Sequence, residues 1–178
     1  MEMNYDTFVS RILLYFERQK TIFVKQMNDK FTFHEALLGL TTIVAWSNGE
    51  NLQSQVDSRV NMILNEGITN TEIDVFKNKY DVINDFDKIY KISIESLLLV
   101  ESEKQNRALA YMWQVANVGT SEEDEHLDLG HITDNWINNK GYVELEELKW
   151  INQAKKDLNI DLDDFKKEFA SLPEPKRI

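Results

Sequence analysis

Both prolines of this chain, Pro173 and Pro175, lie close to its C-terminal end. A proline inside a helix removes a backbone hydrogen bond and clashes with the preceding turn, so every position before Pro173 is free of the strongest helix breaker. Apolar residues over the same stretch recur at helical spacing. Tyr5, Phe8, Ile12, Phe16, Phe23 and Met27 follow steps of three, four and seven, and predict a long amphipathic first helix. The expected fold class is all-α, a compact bundle of about 7–9 helices in a single domain over residues 1–178. No linker-like segment divides it.

Two stretches share one layout. Ala36 to Trp46 is apolar almost all round, breaks at Asn48-Gly49-Glu50, and continues into a polar amphipathic run. Ala108 to Ala116 is apolar in the same way, breaks near Gly119, and turns acidic through Glu122-Glu123-Asp124-Glu125. A helix without a polar face must be surrounded by others, so these two should pack together at the centre. The layout predicts two pseudo-repeated halves, approximately residues 33–67 and 108–137.

Local signals fix several helix ends. Thr32-x-x-Glu35 reads as a capping box, and Thr69 or Thr71 as the N-cap of a later helix. Gly67 suits a left-handed C-terminal cap. A bend is expected near Asn84-Asp85, and Asp161 should cap a short last helix bearing Leu162, Phe165 and Phe169. Leu52, Val56, Val60 and Ile63 mark an expected inner face. The four tryptophans, Trp46, Trp113, Trp136 and Trp150, are expected in the core. The tail, residues 171–178, is expected to fray.

Charge and composition narrow the function. Twenty basic residues stand against 31 acidic ones, a net charge of −11. Phosphate backbones require clustered Lys and Arg, so a nucleic-acid partner is excluded. The chain has no cysteine, which removes disulfides, thiolate metal sites and cysteine nucleophiles. No apolar run approaches the roughly 20 residues needed to span a bilayer, and the N-terminus does not read as a signal peptide. The expected location is cytoplasmic.

Three places could hold chemistry. Glu123-x-x-His126 and Asp128-x-x-His131 each set a carboxylate and an imidazole on adjacent helical turns. The two histidines lie about 140° apart around the axis, so they do not readily share one ion, and the plainer reading is an acidic helix start whose histidines are solvated or paired with carboxylates. The segment Trp136 to Glu147 has the rhythm of a calcium loop, with Gly141 at position six and Glu147 at position twelve. Trp136 and Lys140 occupy positions that need oxygen ligands. Third, the Asn48-Gly49-Glu50 turn, with Asp57 nearby, could offer oxygens to a hard cation, or serve only as a turn. The candidate metal-ligating set is Asn48, Glu50, Asp57, Glu123, Asp124, Glu125 and His126. Nucleophile elbows and Gly-rich phosphate loops are absent.

The sequence Ala45-Trp46-Ser47-Asn48-Gly49-Glu50 resembles the first acidic turn of the TerB-like (tellurite-resistance) family. Tyr111-Met112-Trp113-Gln114-Val115-Ala116, followed by Asp124-Glu125-His126-Leu127, is similar to that family's second half. Leu158 to Phe165 resembles its closing segment. This chain departs from the pattern in carrying Asn48 for an acid, in lacking Asp-Gly at the second turn, and in extra sequence from Trp136 to Lys149. The resemblance implies a non-enzymatic stress or tellurite-resistance protein, an acidic scaffold or divalent-cation module with protein partners, some of them membrane-associated. It implies no catalytic residue and no organic cofactor, with a divalent metal ion as the one candidate. The alternatives from other classes are a metal-dependent helical enzyme using Glu123, His126, Asp128 and His131, and a degenerate EF-hand-like calcium protein.

Overall fold

A computed structural model describes residues 30–47, 49, 52–118, 145–174 and 176. The chain divides into two compact units, Met1–Lys30 and Phe31–Ile178. The expected first helix, Tyr5 to Met27, lies outside the described residues. Those residues form seven α-helices and no strand: α1 (Phe33–Trp46), α2 (Gln53–Asn65), α3 (Asn70–Ile83), α4 (Phe86–Leu97), α5 (Ser102–Asn117), α6 (Leu145–Asp157) and α7 (Leu162–Ser171). All seven belong to the second unit. The all-helical class expected from the sequence is therefore what forms. None of the described helices is long and apolar enough to cross a membrane.

The central pair is α1 and α5. Every residue from Glu35 to Ala45 of α1 is buried, as is every residue from Ala108 to Asn117 of α5. Each helix has apolar residues on all sides, so each needs a shell of other helices. Helix α1 packs against α5 and α4, and also meets α2, α3 and α6; α5 meets α2, α6 and α7. Gly39 permits the close approach of α4. A Cβ at that position would fall 2.8 Å from Ser93 Oγ and 3.1 Å from Ile89 Cγ2.

Helix ends follow the local chemistry. Thr32 and Glu35 form the capping box of α1, and Thr69 and Glu72 that of α3. Each satisfies two backbone N–H groups that the first turn leaves without helical partners. Gly67, at φ +66°, ends α2 in a left-handed cap: Ile68 N–H donates to Ile63 O at 2.9 Å and Gly67 N–H to Leu64 O at 3.3 Å. Asn159, at φ 52°, ends α6 in the same pattern, with Ile160 N–H on Lys155 O at 3.0 Å. Asn and Gly are the residues that tolerate this conformation best. Asn84 adopts it too, after which Asp85 caps α4, so the expected bend is a complete helix break. Asp161 caps α7 through the N–H groups of Asp163 and Asp164.

Two expectations about side-chain placement need correction. Trp46 is 42% exposed, because α1 has emerged from the bundle at its last turn. Trp113 is fully buried, and Trp150 lies half-buried, its ring 5.2 Å from that of Tyr90. On α2, Leu52, Val56, Val60 and Ile63 are only half-buried, whereas Gln55, Asp57, Ser58 and Met62 are buried. The helix is rotated so that a mainly polar stripe faces inward. At the C-terminal end, Gln114 Nε2 donates to Pro173 O at 3.0 Å and Asn61 Nδ2 to Lys176 O at 2.7 Å.

Candidate functional site

The inward polar stripe of α2 is the most unusual chemical feature of the bundle. Buried polar groups cost free energy unless they find hydrogen-bond partners. Gln55 finds one on α6, where its Nε2 donates to Glu147 Oε1 at 2.7 Å, both residues being sealed from solvent. Its Oε1 has no partner among the described residues, and neither does Ser58 Oγ. Asp57 accepts from Gln53 Nε2 at 2.7 Å one helical turn earlier. Its own carbonyl accepts from Asn61 Nδ2 at 2.8 Å. Arg59 reaches α1, where its Nη2 donates to Thr42 Oγ1 at 2.6 Å. Burial lowers the Arg59 pKa from its ordinary value, and the nearby Tyr80 phenol of α3 opposes that shift in part.

Of the expected metal-ligating residues, Asp57 alone is described. Asn48, Glu50, Glu123, Asp124, Glu125 and His126 lie outside the described residues, as do Asp128 and His131 of the alternative cluster. Of the Trp136–Glu147 loop, only its last three residues are described. Glu147, at position twelve, is buried against Gln55 rather than at the surface. Among the described residues no group of three His, Asp or Glu side chains is arranged to hold a metal ion.

The other interior charges are tied in pairs and networks that sequence patterns did not foretell. Glu35 Oε1 meets Lys79 Nζ of α3 at 2.6 Å. Arg107 Nε donates to Glu168 Oε1 at 2.6 Å, while Glu66 Oε1 lies 3.8 Å from its Nη1 and accepts from Tyr111 OH at 2.8 Å. The Glu168 hydrogen bond raises the Arg107 pKa. Burial first, and then the Glu66 carboxylate, push the Tyr111 phenol up. Tyr90 is raised by burial and by its hydrogen bond to Asp157 at 2.8 Å. His34, in the first turn of α1, is half-buried and pairs through Nδ1 with Glu72 Oε1 at 2.8 Å. These contacts join residues 38 to 67 positions apart. No local motif encodes them.

No family model matches the sequence, and no curated protein or solved structure matches it either.

Proposed function

We propose that the chain is a TerB-like protein: a non-enzymatic, acidic scaffold of the cytoplasm acting in stress or tellurite resistance. In this reading its 7–9 helices fall into two pseudo-repeated halves, residues 33–67 and 108–137. The acidic turns hold a divalent cation, with Asn48, Glu50 and Asp57 in the first half and Glu123, Asp124, Glu125 and His126 in the second. Its partners are proteins, membrane-associated ones among them, in keeping with a net charge of −11 that favours basic surfaces.

The observation that supports this reading is the central pair. The two all-apolar segments, one from each proposed half, pack against each other as α1 and α5 and are buried almost from end to end. A duplicated unit would place its equivalent core helices together in this way. Thermal unfolding of the wild type across Mg²⁺, Ca²⁺, Mn²⁺ and Zn²⁺ tests the cation part, because an ion bound only by the native state raises the melting temperature. A saturable rise is expected with at least one ion, and its loss in Glu123→Gln/His126→Ala. No rise with any ion would remove the cation part. An experimental structure in which residues 33–67 and 108–137 do not superpose would remove the repeat.

A further inference from the structure

Cations drawn into this bundle are as a rule neutralised. Lys79 is held by both oxygens of Glu35, and Arg107 by Glu168 and Glu66. Arg59 breaks the rule. The structure gives its guanidinium one hydrogen bond, to Thr42 Oγ1, and no carboxylate partner among the described residues. Thr42 spends its single proton on Leu38 O at 2.6 Å, so it can only accept from Arg59. Arg59 Nε is sealed from solvent without a partner among the described residues. Nη1 makes no hydrogen bond among the described residues, and the residue as a whole keeps a partial opening to solvent. The phenol of Tyr80 on α3 is the titratable group whose charge acts on it among the described residues.

An arginine stays protonated in proteins. Holding one half-buried with its donors unspent is costly, and an apolar side chain of similar shape would be tolerated better. Acid is not scarce in a chain with 31 carboxylates, yet none is described at this position. The arginine fork matches the two oxygens of a carboxylate or the edge of a phosphate.

We propose that Arg59, anchored by Thr42, is a binding site for an external small oxyanion where α2 meets α1. The ligand presents one carboxylate or one phosphate group to the outer edge of the guanidinium. The field of an acidic protein disfavours a dianion more than a monoanion, so a carboxylate is the preferred form. The proposal does not depend on the TerB-like reading.

The test uses the full chain at constant ionic strength, exchanging chloride for acetate in one series and for inorganic phosphate in another. The sealed Arg59 Nε–H gives a slowly exchanging ¹⁵N–¹H resonance that reports on the guanidinium directly. At least one anion is expected to shift that resonance saturably and to raise the melting temperature beyond its effect on Arg59→Met. The series that saturates at lower concentration identifies the ligand class. Arg59→Lys keeps the charge but loses the fork, and is expected to weaken the apparent affinity at least tenfold. If neither anion moves the wild-type resonance, or if Arg59→Met keeps the full anion-dependent shift in melting temperature, the site does not exist. Should Arg59→Met fail to fold, the wild-type resonance and Arg59→Lys decide the matter.

Discussion

Replacing Lys79 by methionine should be among the most damaging single changes outside the apolar core. The Lys79 and Glu35 side chains are only 13% and 4% exposed, and Nζ lies 2.6 Å from one carboxylate oxygen and 2.8 Å from the other. Methionine preserves most of the lysine stem, so the loss is chiefly electrostatic. Glu35 would be left buried with the Thr32 N–H, at 2.8 Å, as its remaining donor among the described residues. Breaking a buried ion pair from one side costs about 3–5 kcal/mol. The residual exposure of Lys79 argues for the lower end. Loss of the ammonium from above the Phe31 ring, 5.5 Å from its centroid, adds to the cost. A loss of about 3 kcal/mol is a large part of the roughly 5–15 kcal/mol that holds a domain folded. With a urea dependence of about 1–3 kcal/mol per molar, the midpoint should drop by about 1–3 M. Glu35→Gln in the same chain removes the stranded charge yet keeps an acceptor for Thr32, so the double variant should be more stable than Lys79→Met alone. A drop below about 0.3 M, or a double variant no better than the single, would refute the claim that this pair is a desolvated one.

Three other contacts carry predictions of their own. Gly39→Ala should lower stability despite a helix-propensity gain of about 1 kcal/mol, because its Cβ meets Ser93 Oγ at 2.8 Å; in a Ser93→Ala background, which removes a hydroxyl without a described partner, urea unfolding should show the cost largely relieved. Tyr111→Phe should cost about 1–2 kcal/mol by the same assay, since it strips Glu66 of a hydrogen bond of 2.8 Å. Glu72 is held down to about 2 by the Thr69 backbone N–H first, then by His34 and the Thr69 hydroxyl. Its folded value is below its unfolded one, so its contribution is complete above about pH 4.5 and is lost as the pH falls toward 2; Glu72→Gln should flatten the slope of stability against pH in that window.

Legibility in the sequence differs sharply between elements. Thr32, Glu35, Thr69, Gly67 and Asp161 act on backbone groups within a few residues of themselves, and each does what its local pattern implies. Helices α1 and α5 are equally plain, because unbroken apolar character leaves no choice of face. Helix α2 is not. Its apolar stripe, Leu52 to Ile63, suggests one inner face, but the orientation is set by Glu147, 92 positions away, accepting from Gln55. Periodicity counts apolar residues and has no term for a polar residue whose partner lies on a distant helix. Arg59 gives no sequence signal for the same reason: its interest lies in what does not stand beside it among the described residues. The acidic segment around His126 is visible as a pattern but lies outside the described residues.

The encirclement of α1 bears on how the chain is made. Its eleven consecutive buried residues emerge from the ribosome before the helices that cover them, and its shell is not complete until α6 has been synthesised. About 110 residues separate the end of α1 from the end of α6, which at roughly 5–20 residues per second is on the order of ten seconds. During that interval the nascent chain carries an uncovered apolar helix, a natural client for a ribosome-associated chaperone. Chains stalled before Leu145 should be cut rapidly within α1 by a protease, and chains released after Asp157 should resist it.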